Sequence, residues 1–170
     1  PASVKSSHIP TEGSQVTRAA DVCSVNTLSP WYNPLEGTLV IVADTWAGAT
    51  PHYASFLTSI GSSYEGLRAF RQTSIGTDRL AFRDAGGPDV IINSAAITSK
   101  KRAASYKAGG DVAICADGGA VSKASIADES TPAITRLFIG SRNGGELSLN
   151  GVIQSITYYP RVIDVQQASA

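Results

Sequence analysis

Hydrophobic and polar residues alternate along several short stretches of this chain. Such alternation is the period-2 pattern of a β-strand that turns one face toward a core. The pattern is clearest near the C-terminal end, where Leu137 and Ile139 alternate with Arg136 and Phe138. Gly140 then ends the predicted strand, because glycine tolerates the turn conformations that follow.

A second strand is predicted after this one, joined to it by the glycine-rich turn at 143–145. Its hydrophobic residues include Ile153 and Ile156, which would face opposite sides of a regular strand. We therefore expect a β-bulge near Gln154-Ser155 if both isoleucines reach the core. The strand should end at Pro160, which has no N–H to donate to a sheet.

The strongest strand of the first half is predicted at 37–44, where hydrophobic residues occupy both alternating sets of positions. Both faces should therefore be covered, as in a central strand. The N-terminal stretch 16–22 fits either a peripheral strand or the start of a helical turn, and 162–170 fits either a short helix or an ordered tail beside the first strand. Further strands are predicted at 53–60, 67–72, 79–83, 89–93, 100–107, 112–116 and 120–126.

This pattern of about ten to twelve short strands with frequent turn signals is typical of an all-β protein. No long amphipathic helix interrupts it. We predict an antiparallel two-sheet β-sandwich, a single domain over residues 14–170. The polar residues 1–13 are predicted to form an extended N-terminal arm, and we expect the chain, which begins at Pro1, to be a segment of a longer protein.

Charge and composition narrow the possible partners. The chain has 14 lysines and arginines and 14 aspartates and glutamates, so nothing draws it generally toward nucleic acid or anionic membrane. The longest apolar run, 39–43, is too short for membrane insertion. The two cysteines, Cys23 and Cys115, are interpreted as small buried thiols, with a disulfide as the alternative.

The acidic residues do not indicate catalysis. A glycosidase of this fold class would need two carboxylates at alternate positions of one strand, and the acids here are scattered through predicted turns. We therefore expect no enzyme activity and no cofactor. Calcium is the one metal considered, with Asp44, Asp111 and Asp117 as conceivable ligands, but no dense run of oxygen donors supports it.

Recognition of a sugar is the remaining function, because aromatic rings stack on sugars while polar side chains bind the hydroxyls. Trp31 and Tyr32 either join such a site or cap the sandwich, and packing in the core or at the rim is the alternative for every aromatic residue considered. The candidate glycan-binding residues are Trp46, His52, Tyr53, Tyr64, Arg142 and Asn143.

The C-terminal segment also carries a resemblance. Ile139-Gly140, the glycine-rich turn, Asn150-Gly151 and Tyr158-Tyr-Pro-Arg161 follow one another in this order, and the similarity extends back through 17–21, 31–33, 36–38 and 108–111. In this it resembles the concanavalin A-like (laminin G-like) jelly-roll domains of bacteriophage tail fibres and tailspikes.

The resemblance implies a non-enzymatic, carbohydrate-binding host-recognition module. It further implies a host cell-surface glycan and other fibre subunits, in a possible homotrimer, as partners. The location would be the virion, after assembly in the host cytoplasm. Two alternatives remain open at this point: a structural trimerisation or assembly module of the fibre, and a polysaccharide hydrolase or lyase.

Overall fold

The structure is a computed structural model that describes residues 22–45, 52–57, 66–72, 76–83, 90–94, 100–126, 134–142, 148–149 and 151–170, with the backbone alone at residues 45, 52–57 and 72. Two antiparallel sheets make up this part of the chain. The all-β, two-sheet prediction is therefore confirmed. Within the described residues no helix is both long and apolar enough to cross a bilayer.

The first sheet has six strands: β1 (Cys23–Val25), β3 (His52–Leu57), β4 (Gly66–Gln72), β5 (Thr77–Arg83), β6 (Val90–Asn93) and β10 (Arg136–Ile139). They lie in the order β1-β10-β3-β4-β5-β6. Every neighbouring pair in this sheet is antiparallel.

The second sheet has five strands: β2 (Glu36–Thr45), β7 (Lys101–Lys107), β8 (Asp111–Ala116), β9 (Ser122–Ser125) and β11 (Gly151–Tyr159). They lie in the order β11-β2-β7-β8-β9, and all neighbouring pairs are antiparallel. One short helix, α1 (Val165–Ser169), packs on β7, β8 and β2.

The core lies between the two sheets and takes alternate residues from strands of both. Leu39 and Ile41 of β2 are each 1% exposed, and Leu80 of β5 is fully buried. These side chains belong to one cluster that also contains Tyr106 and Val112. The period-2 pattern of the sequence thus specifies which face of each strand turns inward.

Strand β2 is a central strand, as predicted, with β11 on one side and β7 on the other. Its second face is covered as well, because Val40 packs in a small cluster with Ala103 and with Val165 of α1. The helix alternative for the C-terminal residues is therefore confirmed. The helix lies against the five-stranded sheet, not beside β1.

Strand β11 contains the predicted bulge, since its register with β2 shifts between Ile153 and Ser155. Ile153 and Ile156 consequently both pack against the core. The strand ends at Tyr159, immediately before Pro160. However, β10 and β11 do not pair as consecutive strands of a hairpin: β10 belongs to the first sheet and β11 to the second, so the chain crosses from one layer to the other between them.

Both cysteines are free thiols, so the disulfide alternative is wrong. Cys115 is buried as predicted, but Cys23 is exposed, because β1 is an edge strand with little cover. The remaining strand predictions fall on β3 to β9, with ends shifted by a few residues. Residues 1–21, which include the predicted arm and most of the predicted first strand, lie outside the described residues.

Candidate functional site

Arginine side chains are concentrated on the outer face of the six-stranded sheet. Along β4 the core takes Leu67 and Ala69, so Arg68 and Phe70 point to the other side. The same alternation places the arginines of β5 and β10 outward. We call this surface the arginine face; its arginines are Arg68, Arg79, Arg83 and Arg136.

Three of these arginines surround a small residue. Arg68 lies directly opposite Ala81 in the register of β4 and β5, so Arg79 and Arg83 are its two diagonal neighbours. Diagonal neighbours on one face of an antiparallel pair lie about 7–8 Å apart at Cα, within reach of long side chains. Ala81 itself is 1% exposed, so this part of the face is covered.

A glycine lies in the next row of this face. Gly66 lies opposite Arg83 on one side and opposite Leu57 of β3 on the other. Its φ of 131° is a conformation that side-chain-bearing residues rarely adopt, so the position requires glycine. Leu57 in turn lies opposite Arg136 of β10. One row of cross-strand neighbours therefore has an arginine at each end, Arg136 and Arg83, and no side chain at Gly66.

The arginine face is partly enclosed. Arg68 is 6% exposed, and Phe70 and Phe138 on the same face are 7% and 2% exposed. The Nε of Arg79 donates to Oδ1 of Asn93 at 2.6 Å, which fixes the guanidinium plane. The buried Nε of Arg83 has no hydrogen-bond partner within the part of the chain that the structure describes.

Charged residues are divided between the sheets. The described lysines, Lys100, Lys101, Lys107 and Lys123, all belong to the five-stranded sheet or its turns. Among strand residues, the six-stranded sheet carries five arginines and the five-stranded sheet carries one, Arg102. Of the five, Arg71 lies opposite Asp78 on the core-facing side. Arginine presents a planar fork that binds a carboxylate through two parallel hydrogen bonds, whereas lysine offers a point charge. The arginine face is therefore chemically suited to a carboxylate-bearing ligand.

The glycan-binding residues predicted from the sequence fall only partly within the described chain. Trp46, Tyr64 and Asn143 lie outside the described residues. His52 and Tyr53 are the first residues of β3, and His52 lies opposite Phe70, whose other cross-strand neighbour is Arg79. Arg142 follows three residues after β10. The assignment of these six residues to a glycan site stays a prediction.

The aromatic residues at one end of the sandwich have a structural role. The ring of Trp31 makes edge contacts with Tyr32 and Tyr158, at centroid distances of 6.3 and 5.5 Å. The hydroxyl of Tyr106 donates to the carbonyl of Asn33 at 2.5 Å and lies 3.0 Å from the hydroxyl of Tyr158. Trp31 and Tyr32 thus cap the core, against which both are packed.

Burial keeps these tyrosine hydroxyls protonated. Burial raises the pKa of Tyr32 to about 12, although its hydrogen bond with Tyr106 opposes the shift. Burial also raises the pKa of Tyr106. It raises the pKa of Tyr158 as well, although hydrogen bonds with Tyr106 and with the backbone of Asn33 oppose that shift. Neutral hydroxyls that donate and accept among themselves suit a packed cap and not a proton-transfer site.

Each of the three conceivable calcium ligands accepts a hydrogen bond from another residue. Asp117 accepts from the backbone N–H of Lys101 at 2.9 Å, Asp111 accepts from Ser125 Oγ at 3.0 Å, and Asp44 accepts from Gln154 at 3.1 Å. Across the part of the chain that the structure describes, no three side chains of His, Cys, Asp or Glu come together as a metal site.

No protein-family model matches the chain, and no curated protein matches it in sequence. Among solved structures, the CBM40 of the Ruminococcus gnavus IT-sialidase is similar, with a TM-score of 0.65 at 13% identity over 81% of this chain and 84% of that chain. The chain shares the fold of these sandwich domains. The same CBM40 has been solved bound to alpha2,3 sialyllactose.

Two further structures show the same fold within larger proteins. A leech intramolecular trans-sialidase in complex with 2,7-anhydro-Neu5Ac has a TM-score of 0.69 at 13% identity, over 91% of this chain and 26% of that one. The binding domain of botulinum neurotoxin DC in complex with SialylT has a TM-score of 0.57 at 8% identity, over 79% of this chain and 34% of that one.

The arginine face was missed by the sequence-based search for sugar-binding residues. A local signal did exist, because alternation in the strand predicted at 79–83 places Arg79 and Arg83 on the face opposite Leu80 and Phe82. The cluster itself depends on Arg68, which joins them only through the register of β4 against β5. That pairing is fixed by packing of the whole sheet and not by any one stretch of sequence.

Proposed function

We propose that this domain is a non-enzymatic carbohydrate-binding module that holds an acidic glycan on the arginine face. The single observation that carries the proposal is the placement of Arg68 between Arg79 and Arg83 around Ala81. Sialylated sugars carry a carboxylate beside a ring with hydroxyl groups, and guanidinium forks recognise both kinds of oxygen. The structures of similar fold with bound sialyllactose support this class of ligand.

The position of the arginines on strands favours binding over general charge attraction. Side chains on paired strands are held more precisely than those on loops, and burial of Arg68 at 6% exposure lowers the local dielectric around it. A carboxylate placed there gains more from each hydrogen bond than it would at an open surface. The neutral net charge of the chain as a whole does not oppose this, because only the local field matters within a few ångströms.

We further propose that the sequence-predicted residues supply the remaining contacts to the glycan. His52 and Tyr53 begin β3 next to the strand that carries Arg68. Aromatic rings from Trp46, Tyr53 and Tyr64 would stack on the sugar, and Arg142 and Asn143 would bind hydroxyls. Replacing Trp46 by alanine is expected to weaken glycan binding without unfolding the domain; loss of the fold would assign Trp46 to the core.

The biological setting that we propose is a bacteriophage tail fibre or tailspike. The sequence resemblance supports this setting, in which the domain attaches the virion to a host cell-surface glycan and contacts other fibre subunits in a homotrimer. Sedimentation analysis tests the assembly: a trimer is expected, and a stable monomer at all concentrations would contradict it for this segment.

The binding proposal is tested by titrating the domain with 3′-sialyllactose and with lactose in a calorimeter. Binding of sialyllactose but not of lactose is expected. Arg83→Ala should weaken it by roughly tenfold or more, and Arg83→Lys should restore only part of the affinity, because lysine keeps the charge but lacks the fork. Lys123→Ala, an exposed change on the other sheet, serves as the matched control.

Two results would contradict the proposal. Equal affinity for lactose and sialyllactose would show that the carboxylate is not recognised. Unchanged binding in the Arg83→Ala variant would place the ligand elsewhere on the domain. Thermal unfolding of each variant, compared with the parent chain, separates loss of binding from loss of the fold.

A further inference from the structure

A concave surface lies on the opposite side of the sandwich from the arginine face. It is a groove of about 460 Å³ between the edge strand β11 and the helix α1. Its floor is formed by Val40 and Val42 of β2, and one wall by Ser155, Thr157 and Tyr159 of β11. We call it the β11–α1 groove.

The bulge in β11 creates this wall. Because the register shifts between Ile153 and Ser155, Ile156 and Tyr158 turn inward after the bulge. The intervening residues Ser155, Thr157 and Tyr159 therefore line up on the outer side, opposite Val42, Val40 and Thr38 of β2. The result is a row of three hydroxyl groups beside an apolar floor.

The neutral polar groups of the groove are not used by the fold. The hydroxyls of Ser155, Thr157 and Tyr159 and the side-chain amide of Gln167 on the facing helix make no hydrogen bond within the part of the chain that is described. Tyr159 leaves 36% of its surface exposed. Together they offer several donors and acceptors around an aromatic ring.

The two charged groups of the groove already have partners. Lys101 Nζ donates to the carbonyl of Ala170 at 2.6 Å, and the carboxylate of Asp164 accepts from the backbone N–H of Gln166 at 2.9 Å and of Gln167 at 3.2 Å. Their charges are opposite, so the groove has no net charge. This composition differs from that of the arginine face and favours an uncharged ligand.

We propose that the β11–α1 groove binds a neutral pyranose sugar, independently of the acidic-glycan site. A pyranose ring has an apolar C–H face, which matches the valine floor and the Tyr159 ring, and a rim of hydroxyls, which matches the hydroxyl row and the Gln167 amide. The volume of the groove is within the ordinary range of small-molecule sites. The domain would then hold one saccharide on each outer face and connect two glycan chains.

The test is a titration followed by amide chemical shifts, with the methyl glycosides of glucose, galactose and N-acetylglucosamine as probes. Saturable shifts are expected at 155–159 and 163–168 for at least one of them, at millimolar concentrations typical of a single sugar. Tyr159→Ala and Thr157→Trp should each weaken binding by roughly tenfold or more, the first by removing the ring and the second by filling the groove. Gln167→Ala, at an exposed helical position, gives a third variant if either of these unfolds.

Matched controls separate this site from the other one. Lys123→Ala should leave the shifts unchanged, and so should Arg83→Ala, which removes only a group of the arginine face. The proposal is overturned if none of the three glycosides gives saturable shifts, or if the shifts persist in folded Tyr159→Ala and Thr157→Trp variants. Neither result bears on sialyllactose binding, so failure here is distinguishable from failure of the proposed function.

Discussion

The Nε of Arg102 lies 2.8 Å from Oδ2 of Asp78, and this ion pair connects the two sheets through the interior. Both side chains are almost completely buried, with 3% and 1% of their surface exposed. Arg102 also donates from Nη1 to the carbonyls of Ala43 and Lys100, both at 3.0 Å. A buried charge with this many partners fixes the position of one layer on the other.

Removing either partner of this ion pair is expected to destabilise the domain strongly. Arg102→Met or Asp78→Asn should lower the free energy of unfolding by about 3–5 kcal/mol, because the remaining charge stays buried and loses this ion pair. The double variant Arg102→Met with Asp78→Leu should recover much of that loss. Urea denaturation measures all three. Lys100→Met, which affects an exposed contact of 4.0 Å to Asp44, is the control and should change stability by less than about 1 kcal/mol.

Gly37 is expected to tolerate no side chain. A Cβ at this position would lie 2.5 Å from the hydroxyl of Tyr158 and 2.9 Å from Cε1 of Tyr106, so the capping rings would have to move. Gly37→Ala should therefore cost about 1–3 kcal/mol in thermal or urea unfolding. Gly110→Ala is the matched control, since its Cβ would meet only the flexible side chain of Lys107 at 3.3 Å. Equal stability of the two variants would contradict the packing described for the cap.

Stability is expected to fall at alkaline pH because of the buried tyrosines. In the unfolded chain a tyrosine loses its proton near pH 10, whereas burial raises the pKa of Tyr32 in the folded state from 10.0 to about 12. Between these values the folded state binds more protons than the unfolded state, so the free energy of unfolding decreases as the pH rises. The contribution is complete below pH 10 and is lost as the pH rises through about 12.

Urea denaturation at a series of alkaline pH values measures this loss. The Tyr32→Phe variant should show a shallower decline than the parent chain, since it lacks one of the titrating groups. The raised pKa of Tyr106 and Tyr158 acts in the same direction and should leave part of the slope in place. A stability that does not change from pH 9 to 12 would show that the hydroxyls are not buried in solution.

The two thiols are expected to react at very different rates. Cys23 is exposed on an edge strand, while Cys115 is fully buried and donates from Sγ to the carbonyl of Gly119 at 3.2 Å. A thiol reagent added to the folded domain should modify Cys23 quickly and Cys115 only on unfolding. Mass spectrometry of the labelled peptides distinguishes them, and Cys23→Ser should abolish the fast phase. Rapid labelling of Cys115 in that variant would contradict its burial.

The sequence predicted those features that depend on neighbouring residues. Hydrophobic residues at both alternating sets of positions identified β2 as a central strand. The bulge in β11 was predicted because Ile153 and Ile156 would face opposite sides of a regular strand. The assignment of β10 and β11 to different sheets could not be predicted, because a turn-like sequence between two strands is compatible with either pairing. The sheet to which each strand belongs is decided by which layer of the sandwich covers the hydrophobic face of that strand.

The candidate sites depend on contacts between distant parts of the chain. Arg68 and Arg83 are fifteen residues apart and become neighbours only through strand register. The β11–α1 groove requires the helix at 165–169 to lie on β2 and β7, which no local pattern indicates. The exposure of Cys23 likewise follows from its place at the sheet edge, since a short strand of mixed residues gives no sign of whether another strand covers it.

The bulge at Gln154 lets β11 contain one residue more than a regular strand would hold over the same length. Deleting this one residue would place Ile153 and Ile156 two positions apart, so that regular alternation alone would turn both of them and Tyr158 toward the interior. A one-residue deletion at the bulge is therefore expected to straighten the strand and keep its inner and outer faces. The same deletion further along β11, between Ile156 and Tyr158, would exchange the two faces for the rest of the strand.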